Sequence, residues 1–265
     1  MVDYKEICSK IESAARDTGR FIQKESLGFD VSRAESKGFH DFVSYVDKES
    51  ERMLVERLSK ILPEAGFLAE EGTSSKMSAE YRWVIDPLDG TTNFMHRLHP
   101  FAVSVALTKD NDPVVGVVHE VDGNETFTAW KGGGAWFNGS PIHVSSVKKV
   151  SDSLVATGFP YNDFSRLEKY MKCLSYFFRV SHGVRRLGSA SVDLAYVACG
   201  RFEAFYEYDL KPWDVAAGII IIREAGGKIS DFSGREENLT GIEIVAANNL
   251  VYSEFLEIVS KFMQD

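Results

Sequence analysis

The residues best suited to chemistry lie in the stretch 83–94, Trp-Val-Ile-Asp-Pro-Leu-Asp-Gly-Thr-Thr-Asn-Phe, in which two aspartates follow an apolar run. The run has the aromatic and β-branched residues of a short buried strand, and the proline and Gly90 are expected to end it in a turn. Thr91 is expected to begin a helix, so that free backbone N–H groups point back toward Asp86 and Asp89. Because carboxylates favour a hard cation and N–H groups favour an anion, the stretch predicts a site for phosphate bridged by Mg²⁺.

Three more carboxylates follow or begin predicted apolar elements. Glu70 and Glu71 come directly after the short strand predicted at 66–69, and Asp214 lies at the start of the apolar helix predicted at 212–225. Each one alone fits a helix cap or a surface position, which is the more common role. Together they are costly to bury, because they must be protonated, paired with bases or bound to metal. Few basic residues are nearby in the sequence, so a shared metal site is the better explanation.

Other catalytic patterns are incomplete in this sequence. The histidines are dispersed and form no H-E-x-x-H motif, and no G-x-S-x-G motif marks a nucleophilic serine. The glycine-rich segment 131–139 lacks the Gly-Lys-Ser/Thr of a phosphate-binding loop and ends in Asn-Gly, so it predicts a hairpin connection. Asp86 and Asp89 are spaced Asp-x-x-Asp, whereas an aspartyl-phosphate mechanism would want Asp-x-Asp. Attack by a metal-activated water fits the sequence better.

Composition limits the class of protein. The chain has 265 residues, 44% of them hydrophobic, which is enough for one large core. Its net charge of −9 argues against nonspecific binding to nucleic acid, but it permits a phosphate ligand if divalent cations reverse the local charge. Three cysteines without a pairing pattern, no signal-peptide pattern and no membrane-length apolar run predict a soluble cytoplasmic protein without disulfides.

The order of predicted elements indicates one domain over residues 1–265. An amphipathic helix is predicted within the first two dozen residues, a strand or strand pair at 28–38, a meander of antiparallel strands between 102 and 130, and a further strand at 202–206. From residue 151 strands and helices alternate. A boundary near residue 150 would therefore separate a metal and phosphate lobe, 1–150, from a substrate lobe, 151–265, and the two lobes are expected to pack closely.

Three motifs together resemble those of the inositol monophosphatase family. They are residues 86–94, the Glu70-Glu71 pair and the Trp-Asp-Val-Ala-Ala-Gly segment at 213–218, and the similarity extends over nearly the whole chain. The resemblance implies an α+β fold, a layered αβαβα sandwich of the inositol monophosphatase and fructose-bisphosphatase type. It also implies two or three Mg²⁺ ions, lithium sensitivity, a homodimer, and hydrolysis of myo-inositol 1-phosphate or a related small polyol monophosphate.

The resemblance assigns metal ligands by position. It implies that Glu70, Asp86 and the Leu88 carbonyl hold one Mg²⁺. Asp86, Asp89 and Asp214 would hold a second ion, and Glu70 would help to hold a looser third.

The resemblance also assigns the groups that bind phosphate and water. Gly90 and Thr91 would bind phosphate through backbone N–H groups, and Thr91 with Glu70 would position the attacking water. Taken alone, Asp47 begins a predicted helix and would be a cap or first-turn carboxylate. The resemblance instead implies that Asp47 orients Thr91.

The alcohol part of the substrate is implied to face Asp89, Ala190, Glu207 and Asp214. A carboxylate such as that of Glu207 can accept two hydroxyl hydrogen bonds from a ring. The segment 208–212 departs from the animal members of the family, which leaves the choice of polyol open.

Three alternatives stay open at this point. Fructose-1,6-bisphosphatase or nucleotide 3′-phosphatase activity would need basic groups for a second phosphate. Arg185 and Arg186 could supply them, although a surface or interface pair at a strand end is the favoured interpretation of these two residues. A moonlighting role in the regulation of transcription or RNA processing is a different class of function, and the acidic composition weighs against it.

Overall fold

The computed structural model describes residues 2–29, 35–38, 41–43, 45–76 and 79–264. Within these ranges it contains the following α-helices: α1 (Tyr4–Ser26), α2 (Tyr45–Ile61), α3 (Thr91–His96), α4 (Leu167–Val180), α5 (Ala190–Ala198), α6 (Pro212–Glu224) and α7 (Tyr252–Met263). In the same ranges, no helix is long and apolar enough to cross a membrane.

The strands form two large sheets and one small ribbon. The ribbon pairs β1 (Glu35–Gly38) with β2 (Asp41–Val43). The larger sheet contains β3 (Gly66–Ala69), β4 (Ser74–Ser75), β5 (Tyr81–Asp89), β6 (Ala102–Lys109), β7 (Asp112–Glu120), β8 (Glu125–Trp130), β9 (Ala135–Phe137) and β10 (Ser140–Ile142). Its spatial order is β10-β9-β8-β7-β6-β5-β3-β4. The second sheet contains β11 (Leu154–Thr157), β12 (Gly183–Arg185), β13 (Ala204–Tyr208), β14 (Lys228–Ser230) and β15 (Glu243–Ala247). Its order is β12-β11-β13-β15-β14.

Helices cover both faces of each large sheet. Helices α1 and α2 pack on the outer face of the larger sheet, α5 and α6 lie between the two sheets, and α4 and α7 cover the outer face of the second sheet. Three apolar clusters fill the spaces between these layers. The predicted αβαβα sandwich is therefore confirmed.

Alternation along β5 shows how the sequence specifies the layers. Trp83 and Ile85 point into the cluster beneath α1 and α2, whereas Val84 points into the cluster around α5 and α6. All three are buried because side chains alternate between the faces of a strand and both faces of this sheet are covered. The strand is thus fixed in register on two sides, and its C-terminal end carries the aspartates to a defined place.

The course of β5 beyond Ile85 corrects one prediction. The proline was expected to end the strand with Gly90, but β5 continues through Pro87 to Asp89. Its antiparallel register with β6 shifts between Asp86 and Asp89, so Pro87 lies in an irregular stretch. A proline is tolerated there because a bulge does not require its missing N–H.

Two other predicted segments can be compared with the structure. The strand predicted at 202–206 lies at 204–208, which places Glu207 within β13. The segment 131–139 connects strands as predicted, and Asn138 and Gly139, both with positive φ, form the turn between β9 and β10. Part of the strand pair predicted at 28–38 lies outside the described residues.

Helix α6 is buried between the sheets and packs closely on both sides. Its residues 215–222 are all buried. A Cβ atom at Gly116 of β7 would lie 2.6 Å from the carbonyl oxygen of Ala217, and one at Gly218 would lie 2.4 Å from Cδ1 of Leu194 in α5. These contacts allow only glycine, and they hold the N-terminus of α6 at the edge of the larger sheet.

We expect Gly116→Ala to destabilise the protein by about 1–3 kcal/mol, because the new methyl group would meet the backbone of α6 at Ala217 as well as the side chain of Ile220. Gly28→Ala is the matched control, since Gly28 is exposed and a Cβ there would have nothing within 4 Å. Thermal unfolding of the two variants measures the difference. Equal melting temperatures would show that the contact between β7 and α6 is looser than described.

Candidate active site

The predicted site residues converge on one cavity between the two sheets. It lies where the C-terminal end of β5 meets the starts of α3, α5 and α6 and the strand β13. Of the residues that the family resemblance assigned to the site, all except Asp47 line this cavity: Glu70, Asp86, Leu88, Asp89, Gly90, Thr91, Ala190, Glu207 and Asp214. Glu71, predicted from its position beside Glu70 to share the site, does not line it.

Asp86 is the most strongly perturbed carboxyl group of the cavity's metal end. It is 2% exposed. Burial raises its pKa well above the usual range, and the negative charges of Glu70, Asp89 and Asp214 raise it further. Its Oδ1 accepts a hydrogen bond from the Leu88 N–H at 3.0 Å, which fixes the side chain within the irregular stretch of β5.

Asp214 has a similar environment at the N-terminus of α6. Burial is the main cause that raises its pKa to about 7, and the charge of Asp89 adds to it. The backbone N–H of Lys211 donates to its Oδ2 at 2.6 Å and partly opposes the shift. The same hydrogen bond caps the helix, so the predicted cap role and the place in the cavity belong to one side chain.

The chemistry of these oxygen donors fits a cation. Burial and the negative charges of Glu70, Asp89 and Asp214 all favour a proton on the carboxyl of Asp86. A divalent cation can replace that proton and remove the repulsion between the groups. Within the described residues, no three His, Cys, Asp or Glu side chains already surround a common ion position. The carboxyl oxygens of the cavity are nevertheless the type of donor that a hard divalent cation prefers.

Asp89 is held on its other side by α5. Its Oδ2 accepts hydrogen bonds from Ser189 Oγ at 2.7 Å, from Ser191 N at 2.8 Å and from Ser191 Oγ at 2.6 Å. The Ala190 N–H also bonds to this carboxylate. Burial is the largest cause acting on its pKa, which is raised despite these bonds. The start of α5 therefore orients Asp89 firmly.

Gly90 shapes the turn into α3. Its φ of 92° lies in the left-handed region, and a Cβ there would lie 3.0 Å from the Pro100 carbonyl oxygen. The side-chain hydroxyl of Thr91 lies 3.0 Å from Asp47 Oδ1 and 3.0 Å from the Leu88 carbonyl oxygen. Asp47, in the first turn of α2, is fully buried and touches the site through Thr91.

A further residue of α2 was missed by the sequence analysis. Glu51, one turn after Asp47, is 4% exposed. Its carboxylate accepts from the N–H groups of Glu71 at 2.7 Å and Thr73 at 3.0 Å. These bonds hold the loop that follows Glu70. Its spacing of four residues from Asp47, which places both on one helix face, is the only sequence signal for this role.

The two arginines predicted as a surface pair differ in position. Arg185 is exposed, and its Nη1 donates to the Val184 carbonyl at 3.0 Å. Arg186 lines the cavity, with its guanidinium 5.4 Å from the ring centres of both Phe159 and Tyr161. The surface interpretation is therefore right for Arg185 only. The sequence analysis also missed a buried carboxyl of α5 that lines the cavity, Asp193.

This combination of sandwich fold and carboxylate cavity defines a class of phosphoric monoester hydrolases. The model of the inositol monophosphatase family matches residues 3–264. An inositol-1-monophosphatase of Rhizobium meliloti is 42% identical, with 94% of this chain and 91% of that protein aligned. Nus factor SuhB of Pseudomonas aeruginosa is 40% identical, with 93% of each chain aligned. The crystal structure of extragenic suppressor protein suhB from Bartonella henselae superposes with a TM-score of 0.91 at 36% identity and covers 97% of this chain and 99% of that one.

The chain belongs to the inositol monophosphatase family. Members of this family are phosphoric monoester hydrolases that generally depend on metal ions.

The raised pKa of Asp214 makes a prediction for the metal-free protein. A carboxyl with a folded-state pKa of about 7 and an unfolded value of about 4 contributes stability below pH 4, and that contribution is lost as the pH rises toward 7. With a chelator present, we expect the melting temperature of the wild type to fall between pH 5 and pH 7.5. Asp214→Asn should reduce the slope, since its amide does not titrate. Parallel curves for the two proteins would contradict this assignment.

Proposed function

We propose that the protein hydrolyses a small polyol monophosphate, myo-inositol 1-phosphate or a close relative of it, to the alcohol and inorganic phosphate. The observation that carries this proposal is the cluster of carboxyl groups around Asp86, directly beside the turn at Gly90 that begins α3. The identity of 42% with a relative named inositol-1-monophosphatase supports the class of substrate.

The metal ligands would be Glu70, Asp86, Asp89, Asp214 and the Leu88 carbonyl, holding two or three Mg²⁺ ions. These ions would supply positive charge for the phosphate oxygens and lower the pKa of the attacking water. The oxygen-only donor set supports Mg²⁺ over softer metals. The number of ions and the homodimer stay predictions.

The Thr91 hydroxyl would orient the water. Both groups within reach of its Oγ1, Asp47 Oδ1 and the Leu88 carbonyl, can only accept a hydrogen bond from it. The Thr91 oxygen is thus left as an acceptor toward the cavity, where it would accept a hydrogen bond from the water. Glu70 would accept a proton of the water as its oxygen bonds to phosphorus and the bond from phosphorus to the alcohol oxygen breaks. The leaving alcohol oxygen would take up a proton from solvent water, and Glu70 would return its proton to solvent, which balances the reaction.

The phosphate would lie at the start of α3. Backbone N–H groups in the first turn of a helix have no partner within the helix, so those of Gly90 and Thr91 can donate to phosphate oxygens. A side chain at Gly90 would lie close to the backbone of residues 100 and 188, so the turn that begins α3 requires glycine at this position.

We expect Asp86→Asn to lower kcat at least about a thousandfold and to weaken the stabilisation of the protein by Mg²⁺, because the Asp86 carboxylate would bind two of the proposed Mg²⁺ ions. Phosphate release and the shift in melting temperature with Mg²⁺ measure the two effects. Asp110→Asn is the control, since Asp110 is an exposed turn residue whose positive φ suits asparagine. Full Mg²⁺-dependent turnover by Asp86→Asn would refute the proposal.

The substrate class is tested by comparing inositol 1-phosphate, fructose 1,6-bisphosphate and adenosine 3′,5′-bisphosphate at equal concentrations, with and without Li⁺. A preference for either bisphosphate would replace the proposed activity by one of its alternatives within the same superfamily.

A second function is favoured by one comparison, the 40% identity with the Nus factor SuhB of Pseudomonas aeruginosa. A role in a transcription complex would depend on the surface of the protein and not on turnover. We therefore expect Asp86→Asn to bind RNA polymerase as well as the wild type in a pull-down at low salt. Failure of the wild type to bind would remove this second function without affecting the first.

A further inference from the structure

The alcohol end of the cavity contains polar groups that the fold leaves unpaired. Asp193 of α5 is 1% exposed and Glu207 of β13 is 5% exposed, and both line the cavity with Arg186. Asp193 Oδ1 and Arg186 Nε are buried and have no hydrogen-bond partner in the part of the chain that the structure describes. Asp89 in the same cavity differs sharply, because hydrogen bonds from α5 already occupy it.

The guanidinium of Arg186 and the carboxyls of Asp193 and Glu207 line the same cavity. The charge of Arg186 lowers the pKa values of Asp193 and Glu207, although burial raises both overall, so the guanidinium is near both carboxyls. Within the described residues, however, its nitrogens form no ion pair with either one at 4.0 Å or less. A separation of this kind leaves room for a group that bonds to both sides.

The position of Arg186 is fixed without hydrogen bonds. Its guanidinium lies 5.4 Å from the ring centres of Phe159 and Tyr161, a distance typical of cation–π contacts. Its Nε is buried and has no partner within the described chain. The arginine is therefore held by stacking, while its donors stay available.

Two glycines keep this end of the cavity open. A Cβ at Gly188 would lie 2.6 Å from Arg186 Nη1, and one at Gly158 would lie 1.9 Å from Glu207 Oε1. Side chains at these positions would displace the arginine or the carboxyl from the cavity. The backbone is thus shaped around the unpaired groups.

Buried polar atoms without partners are unfavourable, so Asp193 Oδ1 and Arg186 Nε, in one cavity with the buried carboxyl of Glu207, indicate a ligand that pairs with them. A hydroxyl group has the required chemistry, since it accepts from a guanidinium and donates to a carboxyl oxygen. A hydroxyl group can pair with Asp193 and Glu207 whether or not these carboxyls are protonated, because a carboxyl oxygen can accept a hydrogen bond in both states.

We propose that Arg186 and Asp193 act together with Glu207 as a specificity subsite that binds hydroxyl groups of the alcohol, so that the enzyme selects phosphate esters whose alcohol carries at least two further hydroxyls. This inference rests on the proposed phosphatase function and adds two residues and a selection rule to it.

The test compares Arg186→Met with Arg185→Met on two substrates. Inositol 1-phosphate carries ring hydroxyls, whereas p-nitrophenyl phosphate has none on its leaving group. The measured quantity is the ratio of kcat/KM for the first ester to that for the second. We expect Arg186→Met to lower this ratio about tenfold or more, chiefly through the KM of the inositol ester, because charged hydrogen bonds to the substrate are lost. Arg185→Met, which removes an exposed arginine at the next position, should stay within about twofold of the wild type.

Asp193→Asn gives a second arm and should lower the same ratio, since one acceptor oxygen becomes a donor. Thermal unfolding shows whether each variant is folded, and Arg186→Met decides alone if Asp193→Asn is not. An unchanged ratio of kcat/KM values in Arg186→Met would overturn the proposal. An equal fall of this ratio in Arg185→Met would overturn it as well, because it would show that the loss of any positive charge in this region has the same effect.

Calorimetric binding of inositol 1-phosphate, with Ca²⁺ in place of Mg²⁺ to slow turnover, separates this inference from the proposed function. If the wild type binds the ester but does not hydrolyse it with Mg²⁺, the proposed function fails, and weaker binding by Arg186→Met than by Arg185→Met still supports the subsite. Equal binding by both variants, or no binding by the wild type, overturns the subsite.

Discussion

The repulsion among carboxyl groups buried around Asp86 is the constraint on which the rest of the site depends. Each group is taken out of water beside others of the same charge, and this raises the pKa of Asp86 and Asp214. Such an arrangement is stable only if protons or cations neutralise it. The surrounding fold must therefore hold the groups in place against their own repulsion, and it must do so from several independent elements.

Three elements meet this requirement by different means. The irregular end of β5 fixes Asp86 through the Leu88 N–H, and the N-terminus of α6 fixes Asp214 through the Lys211 N–H. Helix α2 contributes through Glu51, whose carboxylate holds the loop after Glu70 by accepting two backbone hydrogen bonds. Since α6 also packs against β7 at a glycine, a shift of this helix would change the distance between Asp214 and Asp86. Packing between the layers thus sets the geometry of the cluster.

The sequence predicted the parts of this arrangement that depend on local pattern. Alternating apolar residues, the glycine turn and the apolar helix after Pro212 indicated the elements, and the carboxylates at their ends indicated a shared site. The continuation of β5 through Pro87 was not predictable, because it depends on the register with β6. The place of Arg186 in the cavity was missed for a similar reason, since its partners Phe159 and Tyr161 belong to a loop that only the tertiary fold brings to it.

The two ends of the cavity differ in how completely the protein satisfies their polar groups. At the metal and phosphate end, Asp89 is bonded by α5 and Thr91 by Asp47, so the reacting groups are oriented before any substrate arrives. At the alcohol end, Asp193 Oδ1 and Arg186 Nε have no hydrogen-bond partner within the described residues. Orientation before binding favours the chemical step, whereas unpaired groups penalise an alcohol that lacks the matching hydroxyls. Because the residues of the alcohol end lie on other elements than the Asp86 cluster, the choice of alcohol can change without disturbing the groups that would cleave the ester.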